Sequence, residues 1–183
     1  MSESIGLRIA CGSFSYSEIP LKFNTILGIS GTVETISNYQ RSVIYQEYNF
    51  VYETYIPSVF GENRLKWSTT ENLFVENKSD YFQTIRKQID ASMSGVHGGQ
   101  RAVLVFFKDE IELKEFHNSP VIDDIMGKVS YLTEEATTTE VTAAVKKATH
   151  AGAITLLTRA FSRGTDFIIL DEVVKSNGGT CTI

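Results

Sequence analysis

With 183 residues, 42% of them hydrophobic, 21% charged and only three proline, the chain suits one ordinary domain or slightly more, with a real buried core. The net charge of −5 gives no general attraction to phosphate backbones, which argues against a nucleic-acid grip. No apolar run approaches the roughly 20 residues of a membrane span. The Met-Ser-Glu-Ser start lacks the basic and apolar regions of a signal peptide, and two distant cysteines, Cys11 and Cys181, argue against a disulfide framework or a zinc site.

In chain order, Thr25–Val33 reads as a short buried strand running into a Gly turn, and Val51–Ile56 as an alternating strand stopped by Pro57. Asn72–Val75 is a further short apolar run. A helix is expected from about Asp80 to Met93, because Phe82, Ile85, Ile89 and Met93 fall on one face. Asp80 is its expected cap, with Gln83 at the third helical position. After a loop over Ser94–Gln100, Ala102–Phe107 is a continuous apolar run of the kind a doubly covered parallel strand shows.

Asp109 with Glu112 marks the start of a helix carrying Ile111, Leu113 and Phe116, and Lys128–Leu132 reads as a strand. Thr137 and Glu140 form a capping-box signature for a helix through about His150. Strands are expected at Ile154–Leu157 and Phe167–Leu170. The alternation from Asn72 onward predicts an α/β fold with a mostly parallel sheet and right-handed crossovers.

Chemistry concentrates after the Ile154–Leu157 run. There Ser162-Arg-Gly-Thr-Asp166 sets a guanidinium, a glycine and a carboxylate at the end of a buried strand, where ligands of open α/β sheets bind. Arg163 suits a phosphate group, or is a surface arginine at a strand end. Asp166 is a carboxylate that accepts hydrogen bonds from a ligand or stabilises its own turn. Gly164 permits a tight turn. Ser30, Gly31 and Thr32 by themselves read as an ordinary strand-end turn. His97, His117 and His150 share no metal-ligand spacing. The aromatic stretch Tyr39–Trp67 lacks the basic patch that base stacking needs, and suits a packed extension or a partner surface.

Three segments carry a family resemblance. Leu27-Gly-Ile-Ser-Gly-Thr32 resembles motif III of SecA-type preprotein translocase ATPases, which are superfamily-two motors. Val103–Phe107 resembles their motif IV. Thr158–Asp166 resembles their motif V, Ala-Thr-Asn-Met-Ala-Gly-Arg-Gly-Thr-Asp, with Ser162 where the family carries Gly. Asn177-Gly-Gly179 resembles the opening of the next strand. The resemblance implies that residues 1–36 are the tail of one RecA-like domain. Residues 37–183 would be a second, helicase C-terminal-type RecA-like domain, incomplete at its C-terminal edge and stopping before motif VI. The cut edge leads us to expect marginal solubility or dimerisation.

No P-loop GxxxxGK[ST] segment stands in the chain. By that resemblance, ATP with Mg2+ is the cofactor expected of an intact motor, with a first RecA-like lobe as partner and a polypeptide as the moved substrate. The chain alone is expected to be inactive, and cytoplasmic or peripheral to a membrane. Nucleotide contact or coupling falls by resemblance to Arg163, Gly164, Thr165 and Asp166, and motif III-like sensing to Ser30, Gly31 and Thr32. A superfamily-two nucleic-acid helicase segment and a non-catalytic protein-interaction module derived from such a motor are the alternatives.

Overall fold

Two apolar pentapeptides, Val103–Phe107 and Ile154–Thr158, lie side by side and organise the fold. A computed structural model of the chain describes residues 12–31, 36–57, 59, 65–96 and 98–183. The chain divides into two units, Met1–Glu62 and Asn63–Ile183. The boundary expected at residues 36/37 falls inside the first of these.

The first unit has two 3-10 turns, Tyr16–Glu18 and Pro20–Lys22. Helix α1 (Asn38–Ser42) starts on a full Ser37/Gln40 capping box and continues into a π-turn, Val43–Glu47. The Tyr48 hydroxyl donates to the Ser17 carbonyl at 2.8 Å, and the Tyr45 hydroxyl donates to Glu53. None of the unit's described residues is buried. The strands expected at Thr25–Val33 and Val51–Ile56 are not formed: residues 25–31 and 51–56 have no ladder partner, and Thr32 and Val33 lie outside the described residues. A β-branched run becomes a strand only beside another strand's free N–H and C=O groups, and the described part of this unit offers none.

The second unit begins with helix α2 (Thr69–Asn72), capped by Ser68. The apolar run after it is irregular and exposed rather than a strand. Helix α3 (Lys78–Met93) is capped three residues earlier than expected, because Asn77 takes the extended cap conformation and Asp80 falls in the first turn. There the Asp80 carboxylate still faces the positive end of the helix dipole.

Strand β1 (Val103–Phe107) follows, then helix α4 (Glu110–His117), whose first turn is held by the Asp109 carboxylate accepting from the Glu112 N–H at 3.0 Å. A 3-10 segment, Pro120–Lys128, leads into β2 (Val129–Leu132). Helix α5 (Thr138–Ala148) opens on the expected Thr137/Glu140 capping box. Strand β3 (Ile154–Thr158), helix α6 (Glu172–Ser176) and the short β4 (Cys181–Thr182) complete the order. No strand forms at Phe167–Leu170. That segment has no ladder partner, and the Thr149 hydroxyl donates to the Ile168 carbonyl at 3.2 Å.

The sheet is four-stranded and all parallel, in the order β2-β3-β1-β4. Strand alternation sorts its side chains into two layers. On one face Val103, Val105, Phe107, Ile154 and Leu156 pack with Ile85 and Ile89 of α3, Leu113 and Phe116 of α4, and Ile122. Phe116 is the hub, its ring centroid 5.2 Å from both Phe107 and Phe82. On the other face Leu104, Leu132 and Leu157 meet Ala148, Val141 and Ala144 of α5, with Phe161 and Phe167. Each fully buried Leu, Ile or Phe contributes about 1.5–3 kcal/mol over leaving it in water. No helix among the described residues is long and apolar enough to cross a membrane.

Long-range polar ties lock elements that are far apart in sequence. Arg86 of α3 donates to the Val121 carbonyl at 2.8 Å and pairs with Asp124 and Asp90. Arg101, just before β1, donates to the carbonyls of Gly179 (2.8 Å), Thr180 (2.6 Å) and Gly178 (3.2 Å). It thereby aligns β4, whose Cys181 and Ile183 N–H groups bond the carbonyls of Ala102 and Leu104. Replacing Arg101 by Met removes three charge-assisted bonds and should cost about 2 kcal/mol. In amide exchange, Cys181 and Ile183 should then lose protection while β3 keeps it. Unchanged protection at both would show that β4 pairs without the guanidinium.

Candidate functional site

The strand order contains one point where the chain reverses its direction across the sheet. From β1 it crosses to β2 on one side. From β3 it crosses past β1 to β4 on the other. The carboxyl ends of β1 and β3 therefore send their connections opposite ways, and ligands of open parallel sheets bind in the crevice at such a point. Phe107 and Thr158 are cross-strand partners at that edge. Lys108-Asp109 leaves β1 there, and Arg159–Asp166 leaves β3.

The β3 loop is built from local chemistry. Thr158 ends the strand and occupies the cap position of a 3-10 turn, Arg159–Ser162. Phe161 turns inward against the α5-side core, which leaves Arg159 and Ala160 outside. The Ser162 hydroxyl donates to the Arg159 carbonyl at 2.6 Å and closes the turn. Among the described residues Asn49 is the only non-glycine with positive φ, so Ser162 holds its position without left-handed strain where a glycine was the family expectation. Arg163 is extended, and Gly164 turns the chain at φ +76. An added Cβ at Gly164 would meet nothing within 4 Å, so the requirement for glycine there is conformational and not one of close approach.

Arg163 and Asp166 are both exposed, and neither forms a hydrogen bond or ion pair with any described residue. Thr165 between them is half-buried. Phe167 then anchors the chain, edge-on to Phe106 with ring centroids 6.2 Å apart. The loop thus presents a guanidinium and a carboxylate three residues apart, fixed at both ends by aromatic packing. Arg163, Gly164, Thr165 and Asp166 share this one loop. Ser30 and Gly31 belong to the first unit and are exposed, and Thr32 lies outside the described residues.

Two residues to which the sequence reading gave no role of their own shape the site. The first is Asp171. Its carboxylate accepts from the Ala151 N–H at 2.9 Å, just before β3, and from Val173 at 2.9 Å and Val174 at 3.4 Å at the start of α6. It therefore ties together the two ends of the excursion that contains the loop. An Asp before Glu-Val-Val-Lys is a legible helix cap; its reach back to residue 151 is not. The second is Thr158. Its side chain is fully buried and its hydroxyl has no hydrogen-bond partner among the described residues, a condition that costs about 1–3 kcal/mol.

The exposed Arg163 guanidinium offers planar N–H donors of the kind that pair with an anionic group such as a phosphate or carboxylate. No group of three or more His, Cys, Asp or Glu side chains is gathered for a metal ion among the described residues. His117 stacks edge-on against Tyr131, and His150 lies 3.7 Å from Asp171.

Fold and site define an α/β protein with an all-parallel sheet flanked by helices and an open, charged loop at its switch point. No family model matches the chain, and neither a curated protein nor a solved structure matches it significantly.

Asp171 also fixes a pH dependence. The Ala151 N–H, then the Val173 and Val174 N–H groups and His150, hold its carboxyl below the ordinary carboxylate range. A depressed folded-state value means that the stabilisation is present above the unfolded value of about 4 and is lost as pH falls through the folded value. The difference in melting temperature between wild type and Asp171→Asn should be largest near neutral pH and should close at acid pH. A difference independent of pH would show that the charge contributes nothing.

Proposed function

We propose that this chain is part of a SecA-like ATP-driven motor, with residues 63–183 forming the lobe that closes on a nucleotide held by a partner lobe. One observation carries the reading. The Arg163-Gly-Thr-Asp166 loop leaves the carboxyl end of a parallel strand at the switch point of the sheet, with its guanidinium and carboxylate turned to solvent and free of partners among the described residues. The motif V resemblance gives those two groups their roles.

In this mechanism the partner lobe supplies the phosphate-cradling lysine and the magnesium carboxylates. ATP, when bound, supplies the phosphoryl group whose transfer to water drives the cycle. Arg163 donates to phosphate oxygens and favours the charge that develops as the terminal phosphoryl departs. Asp166 accepts hydrogen bonds from ribose hydroxyls or holds a cross-lobe arginine. The left-handed turn at Gly164 sets the angle between them. Loss of the terminal phosphate removes the partner of Arg163, and the lobes separate; that motion would be coupled to moving a polypeptide. A single lobe provides neither full positioning nor charge neutralisation, so this chain by itself should not turn over ATP.

A second reading, a motor-derived interaction module, draws on the apolar residues Ile168, Leu170 and Val173, which are exposed just beyond the loop.

The test is ATP hydrolysis by the polypeptide at its native length. Arg163→Ala should lower kcat about 100-fold, with a smaller effect on KM. Arg163→Lys should restore only part of the rate, because a point charge cannot make the paired contact of a guanidinium. An unchanged kcat in Arg163→Ala would overturn the motor reading, and partner capture surviving the same change would favour the interaction module.

A further inference from the structure

Among the buried threonines, Thr149 donates its hydroxyl to the Lys146 and Ile168 carbonyls, and Thr155 shares a hydrogen bond with Ser130. Thr158 alone is orphaned among the described residues. Its register opposite Phe107 places it on the α3 and α4 face of the sheet, in line with Ile154 and Leu156. Packing gives no reason for a hydroxyl there. Valine has the same shape, the same β-branch and no polar atom to desolvate.

The position of Thr158 in the chain supplies a reason. Thr158 is the cap residue of the Arg159–Ser162 turn, with the extended cap conformation (φ −80, ψ 156), yet it makes no side-chain cap bond. A threonine at that position ordinarily accepts from the N–H two or three residues on, here Ala160 or Phe161. The residue therefore has the backbone geometry of a cap while its hydroxyl stays unused in the core.

We infer that Thr158 is a positioning residue for the β3 loop, with two settings. In the setting seen here its hydroxyl is buried and unpaired. In the nucleotide-bound setting it rotates to accept from the Ala160 or Phe161 N–H, tightens the turn and fixes Arg163 at its phosphate contact. The unpaired hydroxyl favours leaving the first setting, so nucleotide binding does not have to break a bond to reach the second. This rests on the motor reading above.

The experiment combines melting and turnover on the native-length polypeptide, with Thr158→Val and Thr158→Ser beside Arg163→Ala. Thr158→Val should melt at or above the wild-type temperature. Its kcat should fall about 10-fold with KM little changed, because the cap is lost and nucleotide contact is kept. Thr158→Ser, which retains the hydroxyl, should keep most of the rate even if the lost methyl lowers its melting temperature. A wild-type rate in Thr158→Val beside an inactive Arg163→Ala would overturn the inference and leave the motor reading standing. A Thr158→Val that melts several degrees lower would also overturn it, by showing that the hydroxyl is already paired. A wild type that hydrolyses no ATP would overturn the motor reading and this inference together.

Discussion

The second unit depends on one constraint, the burial of β3 on both faces. Ile154, Thr155, Leu156, Leu157 and Thr158 are all essentially inaccessible to water, and β3 pairs with β2 on one side and β1 on the other. A strand in that position must be apolar on both sides, and its backbone groups must be satisfied by parallel neighbours. Parallel neighbours require crossover connections, so the helices fall on the sheet's faces. The order β2-β3-β1-β4 then places the loop after β3 at the reversal of direction. The exposed Arg163 and Asp166 are thus held out to solvent by a strand that is buried along its whole length and paired on both sides.

The ties around that strand act at its two ends. At the amino end, Arg101 gathers the carbonyls of residues 178–180. Asp171 joins the Ala151 N–H to the start of α6. At the carboxyl end, Phe161 and Phe167 flank the loop with apolar anchors, while Asp109 organises the neighbouring turn after β1. Every tie but the aromatic ones uses backbone groups that would otherwise be left unpaired in a loop, the usual way a small unit fixes the geometry of segments without ladder bonds. The orphaned hydroxyl of Thr158 stands out in this setting, because the polar groups around it are otherwise well matched.

Much of the second unit was legible in the sequence, because its signals are local. The apolar runs at 102–107 and 154–157, the Asp109 cap and the Thr137/Glu140 box each state their structure within a few residues. The Arg163–Asp166 loop was legible for the same reason. The expected strands at 25–33, 51–56, 72–75 and 167–170 had the right composition, but composition does not say whether a partner edge will be present. Ile168 shows the difference: its carbonyl goes to the Thr149 side chain instead of a ladder. The start of α3 moved because Asn77 and Asp80 are both good caps, and the choice rests on the backbone conformation at 77. The contacts of Arg101 and Asp171 span 77–79 and 20 residues respectively, and no local pattern announces them.

The account's central claim is that the β3 loop meets a nucleotide. Amide hydrogen exchange over residues 159–166 tests it most directly, measured on the native-length polypeptide with and without magnesium and a non-hydrolysable ATP analogue. The account predicts that these amides slow markedly on nucleotide addition, while those of β1 and β3, already buried and bonded, change little. Equal exchange across residues 159–166 in both conditions, with nucleotide shown to be bound, would contradict it and would turn attention to the exposed residues Ile168, Leu170 and Val173 as the working surface.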